Sequence, residues 1–318
     1  MKLGISVHPE RGVDAVMDEA RVADEQGFDS LWLSDHLYRP YVAEQAPEGP
    51  LDYFVLATAL GAVTSRIRLA WGTLNLHFRP PGVFAKMITT LDQITHGRVI
   101  CSFGSGWLKD EYEAYNLLWV EDHDQRADYA RETVRLIKEL WTHPAPEKVT
   151  FEGKYVQVRD LTFNPEPYQK PHPPIWFGGD SEATLQTVKE LCSGWIPLRS
   201  GTTENIARLR AEPDWPSDMT IVKSGRIVVA ESRERALALA KDEWDAGVAK
   251  KAIAWPQSFE DYVSGGIVGT PEECLAKLGE MESTGVNYLR LNFQTEAVQE
   301  GVSRLLLPRL EPAIASIS

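Results

Sequence analysis

In SLWLSDH, residues 30–36, an apolar run ends on Ser34, Asp35 and His36. Histidine is the side-chain type that titrates near neutral pH, so beside a ligand it can give or take a proton. A carboxylate next to it can orient the ring, and capping a helix or positioning a ligand is the other use of a histidine at such a place. A second chemistry is suggested by IWFGGDSEATLQTV, residues 175–188. There a β run passes through Gly178 and Gly179 to Asp180 and Ser181, where a helical period of Leu185, Val188 and Leu191 begins. Two glycines let backbone approach a ligand closely, and the N–H groups of a helix's first turn attract an anion such as a phosphate. The same glycines also serve an ordinary tight βα turn. GSGW, made of Gly104, Ser105, Gly106 and Trp107, is a similar turn. It is not the dinucleotide fingerprint, because the third glycine of G-x-G-x-x-G would fall at Lys109.

More polar residues gather after the other apolar runs: His8 after the first, Gly72, Thr73 and His77 in GTLNLH after the third, and Arg199 in LRS after the sixth. In NYLRLNF, strand alternation puts Tyr288, Arg290 and Asn292 on one face. A cation inside a sheet needs an acid or an anionic ligand, so Arg290 is either half of an ion pair or a substrate contact. The seven histidines show no H-x-H or H-E-x-x-H spacing, and no dedicated metal site is expected. There is no G-x-S-x-G and no cysteine beside a plausible base, which leaves hydrolase chemistry without support. Trp32, Trp71, Trp107, Trp176 and Trp195 lie on or beside the runs, where they either fill the core or stack on a planar ligand.

These residues need a frame that brings many strand ends together. Apolar, β-branched or aromatic runs recur at 3–7, 30–34, 67–73, 98–103, 174–178, 194–197, 225–230 and 286–292, with helical periods between them. The alternation predicts a parallel sheet closed into a (β/α)8 TIM barrel, whose functional residues lie at the carboxyl ends of the strands. Two connections exceed a simple turn and are read as insertions after strands 4 and 7. The first, 107–173, holds helices near Glu111–Leu117 and from about Asp124 to Trp141, then a hairpin turning at Glu152–Gly153. The second, 232–285, carries a helix, the loop WPQSFEDY and a GIVGTPEE entry into another helix. No linker composition or repeat interrupts the chain, so residues 1–318 are expected to form one domain.

The 318 residues suit one barrel with insertions, and 43% hydrophobic against 25% charged residues is an ordinary globular balance. A net charge of −13 with no Lys/Arg block opposes nucleic acid or an anionic membrane surface. Cys101, Cys192 and Cys274 are odd in number and far apart, which fits reduced thiols. With no signal peptide or membrane span in evidence, a cytoplasmic enzyme is expected.

Taken in order, GFDSLWLSDH, TSRIRLAWGT, TLDQITHGRV, GSGWLKDEYEA, KPHPPIWFGGDS and SGWIPL resemble the bacterial luciferase-like superfamily over nearly the whole chain. The resemblance implies a (β/α)8 barrel that uses reduced FMN with O2, or the deazaflavin coenzyme F420 as a hydride carrier. The SDH, G-x-G-W and PHPPIWFGG segments look most like the F420-dependent branch. Carried over, the resemblance has Asp35 and His36 face the reactive edge of the cofactor ring. It sets Gly72 and Thr73 at a strand-end bulge, often with a non-proline cis peptide, under the ring. Gly104, Ser105 and Gly106, with Gly178, Gly179, Asp180 and Ser181, would hold the ribityl chain and phosphate, and Trp107 is a further cofactor-binding candidate. His8, His77, Arg199 and Arg290 are the candidates for substrate contact. Trp107 stands where sugar-phosphate dehydrogenases of the superfamily tend to have a glutamate, which argues against a sugar phosphate. The expected reaction is hydride transfer between F420 and a small organic substrate, with Lys189 or Arg199 meeting the coenzyme's acidic tail. The alternatives are an FMNH2-dependent monooxygenase served by a separate reductase, and a flavin-binding barrel without turnover. A homodimer is the expected assembly.

Overall fold

The computed structural model of the chain describes residues 1–7, 12–37, 51–198, 203–250, 252 and 255–310. The strands are β1 (Lys2–Ser6), β2 (Ser30–Leu33), β3 (Arg68–Trp71), β4 (Leu74–Asn75), β5 (Cys101–Gly104), β6 (Val149–Glu152), β7 (Gln157–Leu161), β8 (Ile175–Gly178), β9 (Gly194–Ile196), β10 (Thr220–Gly225), β11 (Ile227–Val229), β12 (Ile267–Gly269) and β13 (Tyr288–Leu291). Nine of them form one parallel sheet in the order β3-β2-β1-β13-β10-β9-β8-β5-β4. A parallel bridge between Leu69 and Val99 joins β3 to the residues entering β5, so the sheet returns on itself as a barrel. Above that bridge β3 and β5 part, and a side chain replaces the missing rung. The Ser102 hydroxyl accepts the Trp71 N–H at 2.8 Å and donates to the Trp71 carbonyl at 2.6 Å.

Helices Val13–Glu25, Tyr53–Val63, Pro81–Ile94, His123–Thr142, Glu182–Leu191 and Thr203–Arg210 follow successive barrel strands, and after β10 come Arg233–Ala249 and, beyond β12, Pro271–Ser283, which leads into β13. Some of these starts are set by side chains that accept the first free N–H groups, among them Asp52, Asp122, Ser181 and Thr270, the last in a capping box with Glu273. The hairpin β6–β7 is antiparallel and turns where the sequence suggests.

One predicted strand is corrected. The pattern predicts the run 225–230 as the seventh barrel strand, but that strand is β10, Thr220–Gly225, and Ile227–Val229 instead pairs with β12 in a separate parallel pair. TIVKSG carries Lys223 and Ser224 and looks half polar, whereas IVV is wholly apolar, so the pattern favoured the wrong neighbour.

Inside the barrel, Trp32, Ala70, Ile100, Trp176, Ile196, Val222 and Tyr288 make their own buried cluster. The rings of Trp176 and Tyr288 meet edge to face at 5.2 Å. Glycine makes room for them, since a Cβ on Gly194 would lie 2.2 Å from the Trp176 ring. Toward the amino ends of the strands, the Tyr288 hydroxyl bonds Ser30 and Asp29, and Asp29 pairs with Arg68. The floor is thereby sealed, and the opposite end is left for chemistry. Trp71 and Trp195 are fully buried as well, so of the five strand-associated tryptophans only Trp107, 64% exposed, has a face to offer a ligand. Among the described residues, no helix is long and apolar enough to cross a membrane.

Candidate active site

At the carboxyl end of β2, Asp35 is buried and takes a two-pronged ion pair from Arg79, Nη1 to Oδ2 at 2.8 Å and Nη2 to Oδ1 at 2.9 Å. Its Oδ2 also accepts the Asn75 N–H at 2.8 Å. Burial raises the Asp35 carboxyl above its ordinary value, opposed chiefly by the Arg79 guanidinium. Arg79 lies over the Phe54 and Phe84 rings at 5.5 and 5.1 Å, which adds to its fixing by the carboxylate. Asn75 continues the chain of contacts, its amide donating to the Tyr112 hydroxyl at 2.8 Å. Asp35 therefore ties the end of β2 to the segment after β3.

His36 is held differently. Its Nδ1 is 2.6 Å from Glu111 Oε1, while Glu111 Oε2 accepts the Leu37 N–H at 2.7 Å. Glu111 is 1% exposed, and the Trp107 ring stands edge to face with the imidazole at 5.8 Å. With Nδ1 committed to a carboxylate, Nε2 is the nitrogen left to act on a ligand.

The glycine turns meet each other across the barrel mouth. The Gly72–Thr73 peptide is cis, in the place the resemblance implied. The Thr73 side chain lies between two of the expected cradle residues: a Cβ on Gly104 would be 2.2 Å from Thr73 Oγ1, and one on Gly178 would be 2.7 Å from Thr73 Cγ2. A Cβ on Gly106, at φ 72°, would meet the Tyr112 hydroxyl at 2.0 Å. Gly179 adopts φ 138°, and its N–H is given to the Ile196 carbonyl at 3.2 Å. Asp180 accepts the Leu198 N–H at 3.0 Å, and the Ser181 hydroxyl accepts the Thr184 N–H at 3.2 Å. What remains for an anion is the first turn of helix Glu182–Leu191, where the Glu182 and Ala183 amides have no acceptor within the helix. Gly104, Ser105, Gly106 and Trp107 do share this end with Gly178 to Ser181, because β5 and β8 are neighbours in the sheet.

Arg290 reaches the mouth from β13. Its Nε donates to Ser6 Oγ at 3.0 Å, its guanidinium lies 5.6 Å from the Trp32 ring, and a Cβ on Gly72 would be 2.0 Å from its Nη1. His77 belongs to the Asn75–Tyr112 side of the site: its backbone N–H donates to Asn75 Oδ1 at 3.1 Å and its ring lies 6.4 Å from that of Tyr112. It stacks on Tyr129 of helix His123–Thr142 at 4.4 Å, its Nε2 is 3.3 Å from the Arg126 carbonyl, and burial lowers its pKa to about 4. His8 and Arg199 lie outside the described residues. Four partners were not singled out from sequence: Arg79, Asn75, Glu111 and Tyr112. Glu111 and Tyr112 are within the motif GSGWLKDEYEA and Asn75 within GTLNLH, so the signal was present as a motif but not as a role. Among the described residues no group of three His, Cys, Asp or Glu side chains is arranged to hold a metal.

Comparison with known proteins agrees with this architecture. Residues 1–288 match the family described as luciferase-like monooxygenase. An FMNH2-dependent dimethylsulfone monooxygenase of Pseudomonas putida is 27% identical over 324 residues, covering 91% of this chain and 85% of that protein. An F420-dependent glucose-6-phosphate dehydrogenase of Microbacterium testaceum is 35% identical over 188 residues, covering 58% of this chain and 52% of that protein. The crystal structure of monooxygenase RslO1 from Streptomyces bottropensis superposes with a TM-score of 0.74 at 22% identity, covering 98% of this chain and 100% of that one, and so shares its fold. The chain belongs to the luciferase-like monooxygenase family.

Proposed function

We propose that the chain binds reduced FMN at the barrel mouth and uses it with O2 to oxidise a small, uncharged organic molecule, a separate reductase supplying the reduced flavin. The observation that carries this reading is the His36–Glu111 pair beside the exposed face of Trp107, at the end of the barrel where Gly72–Thr73 and the two glycine turns converge. Gly72 and Thr73 would support the ring, and the Glu182 and Ala183 amides would meet the phosphate. The bound cofactor supplies the redox chemistry; the chain positions the reactants and excludes water. His36 moves a proton through Nε2, and Glu111 fixes the tautomer that makes Nε2 available. Asp35, with both oxygens spent on Arg79 and Asn75, holds the loop after β3 in place and leaves proton transfer to His36. The charges of Arg79, Asp35 and Glu111 are spent within the chain, which favours a substrate without charge.

The sequence resemblance points to F420, whose acidic tail needs a cationic exit. Lys189 or Arg199 is expected to serve it; Arg199 lies outside the described residues, and Lys189 is ion-paired with Glu212 and Asp214. It also lies about 12 Å down the helix from Ser181, eight residues at about 1.5 Å each, toward the closed end of the barrel. FMN ends at its phosphate and asks for no such exit. The FMNH2-dependent relative moreover matches far more of this chain than the F420-dependent one. Anaerobic titration with FMNH2 and with reduced F420, followed by oxygen uptake in the presence of a flavin reductase, tests the choice. FMNH2 is expected to bind at least tenfold tighter, with turnover that consumes O2. Tighter binding of reduced F420, or turnover without O2, returns the protein to hydride transfer.

A further inference from the structure

A cavity of about 430 Å³ lies on the outer side of the barrel wall, between β10 and helix Pro271–Ser283. Lys223 and Arg226 line one side, Gly265 and Gly266 the rim, and Lys277 and Glu280 of the helix the other side. Val222 belongs to the cluster inside the barrel, so alternation sends Lys223 outward, where barrel strands ordinarily bury apolar side chains against helices. Arg226 is packed on the Tyr262 ring at 5.2 Å, and its Nε is buried without a hydrogen-bond partner. Lys277 Nζ lies 3.5 Å from the Gly266 carbonyl. Among the described residues, none of the three cations has a carboxylate within ion-pairing distance, and Glu280 is the one carboxylate in the lining.

In a chain of net charge −13, three such cations around one cavity call for a cause. Long basic side chains often lay their stems on apolar surface and keep their heads in water. That account suits Lys223 but leaves the Arg226 Nε–H desolvated and unpaired, a cost that an anion held at the cavity by the rest of the guanidinium would offset. A guanidinium flanked by two ammonium groups is complementary to an oxyanion with several acceptors. The volume falls within the roughly 300–1,000 Å³ range of small-molecule sites, so the anion comes with a body attached. We propose that this cavity is a second ligand site, separate from the mouth, that takes a small molecule bearing a phosphate group.

The test uses the full-length protein, with pyrophosphate and glycerol 3-phosphate as probes, in isothermal titration at low ionic strength. Saturable binding is expected, weakened at least tenfold in Arg226→Gln and in Lys223→Gln and unchanged in His36→Ala. Glu182→Gln should leave it unchanged as well, which separates this site from a phosphate position at the mouth. If Arg226→Gln fails to fold, Lys223→Gln and Lys277→Met carry the comparison. Absence of binding, a change of binding in Glu182→Gln or His36→Ala, or indifference to Lys223 and Arg226 each overturns the proposal.

Discussion

Replacing Arg79 with methionine tests whether the Asp35 ion pair holds the mouth together. Methionine keeps an unbranched apolar stem between Phe54 and Phe84 but removes both guanidinium bonds to Asp35, of 2.8 and 2.9 Å. Asp35 would retain the Asn75 N–H and lose its counter-ion while still 5% exposed. Breaking a buried pair from one side costs about 3–5 kcal/mol, and two charge-assisted bonds at about 1.5–3 kcal/mol each lead to the same range. The pH dependence has a definite sign. Burial already raises the Asp35 carboxyl, and removing its chief opposing influence raises it further. A carboxyl whose folded pKa exceeds its unfolded value near 3.9 favours the folded state at low pH, and that contribution is lost as pH rises through the folded pKa. Arg79→Met should therefore be most destabilised near pH 8 and should recover part of the loss toward pH 5, read by urea unfolding followed by circular dichroism. Adding Asp35→Asn should restore much of the stability, because it removes the stranded charge. A loss below about 1 kcal/mol at pH 8, or a double variant as weak as Arg79→Met alone, refutes the reasoning.

His36→Ala should lower turnover by about 10²–10⁴-fold while flavin binding changes much less; equal losses in both would make His36 a positioning residue. Glu111→Gln should lower turnover and alter the shape of the pH–rate profile without moving flavin affinity, and an unaltered profile would show that the pair does not govern proton transfer. Gly178→Ala should disturb the mouth, because its new Cβ would lie 2.7 Å from Thr73 Cγ2, whereas the next contact, with the Phe103 carbonyl, is 3.7 Å away. Thr73→Ser deletes that methyl, so the double variant should bind flavin better than Gly178→Ala alone; no rescue would mean that another clash rules. His77, lowered to about 4, stays neutral in the folded protein while the unfolded chain protonates nearer 6.5. The wild type should thus lose stability as pH falls from about 6.5 to 4, and a His77→Phe variant that loses just as much would contradict the assignment.

Much of this arrangement was legible because barrels repeat one pattern. Seven of the eight strand runs lie in the barrel wall, and polar residues collect after them because strand ends are where backbone escapes the core. The seventh was missed for a local reason. In β10 the residue facing outward is Lys223 and the one facing inward near the mouth is Ser224, so neither face carries the apolar repeat that marks a buried strand. Pairings between side chains were harder to read. Nothing in the spacing of His36 and Glu111, 75 residues apart, says that they meet. Asp35 and His36 are adjacent in sequence, yet one turns to Arg79 and the other to Glu111, because a strand end sends neighbouring side chains to opposite sides.

The glycine turns show where such reading stops. A glycine reports that a Cβ would be costly, but not what it would strike. At Gly104 and Gly178 it would strike Thr73, and at Gly106 Tyr112, all parts of the chain itself. Their bareness is thus accounted for by packing, with no ligand required. Thr73 in turn has its position from the Gly72–Thr73 turn, which Ser102 anchors through both backbone groups of Trp71. The glycines let several strand ends close on one threonine and so shape the floor of the mouth. An anion at this end must then be met by the free first-turn amides of helix Glu182–Leu191, with Asp180 and Glu182 as nearby carboxylates that weaken the attraction. On that account Glu182→Gln should tighten flavin binding by easing repulsion at the phosphate, by up to about 1 kcal/mol at low salt and less as salt rises. Weaker binding in Glu182→Gln, or a gain that salt leaves untouched, would move the phosphate away from this helix.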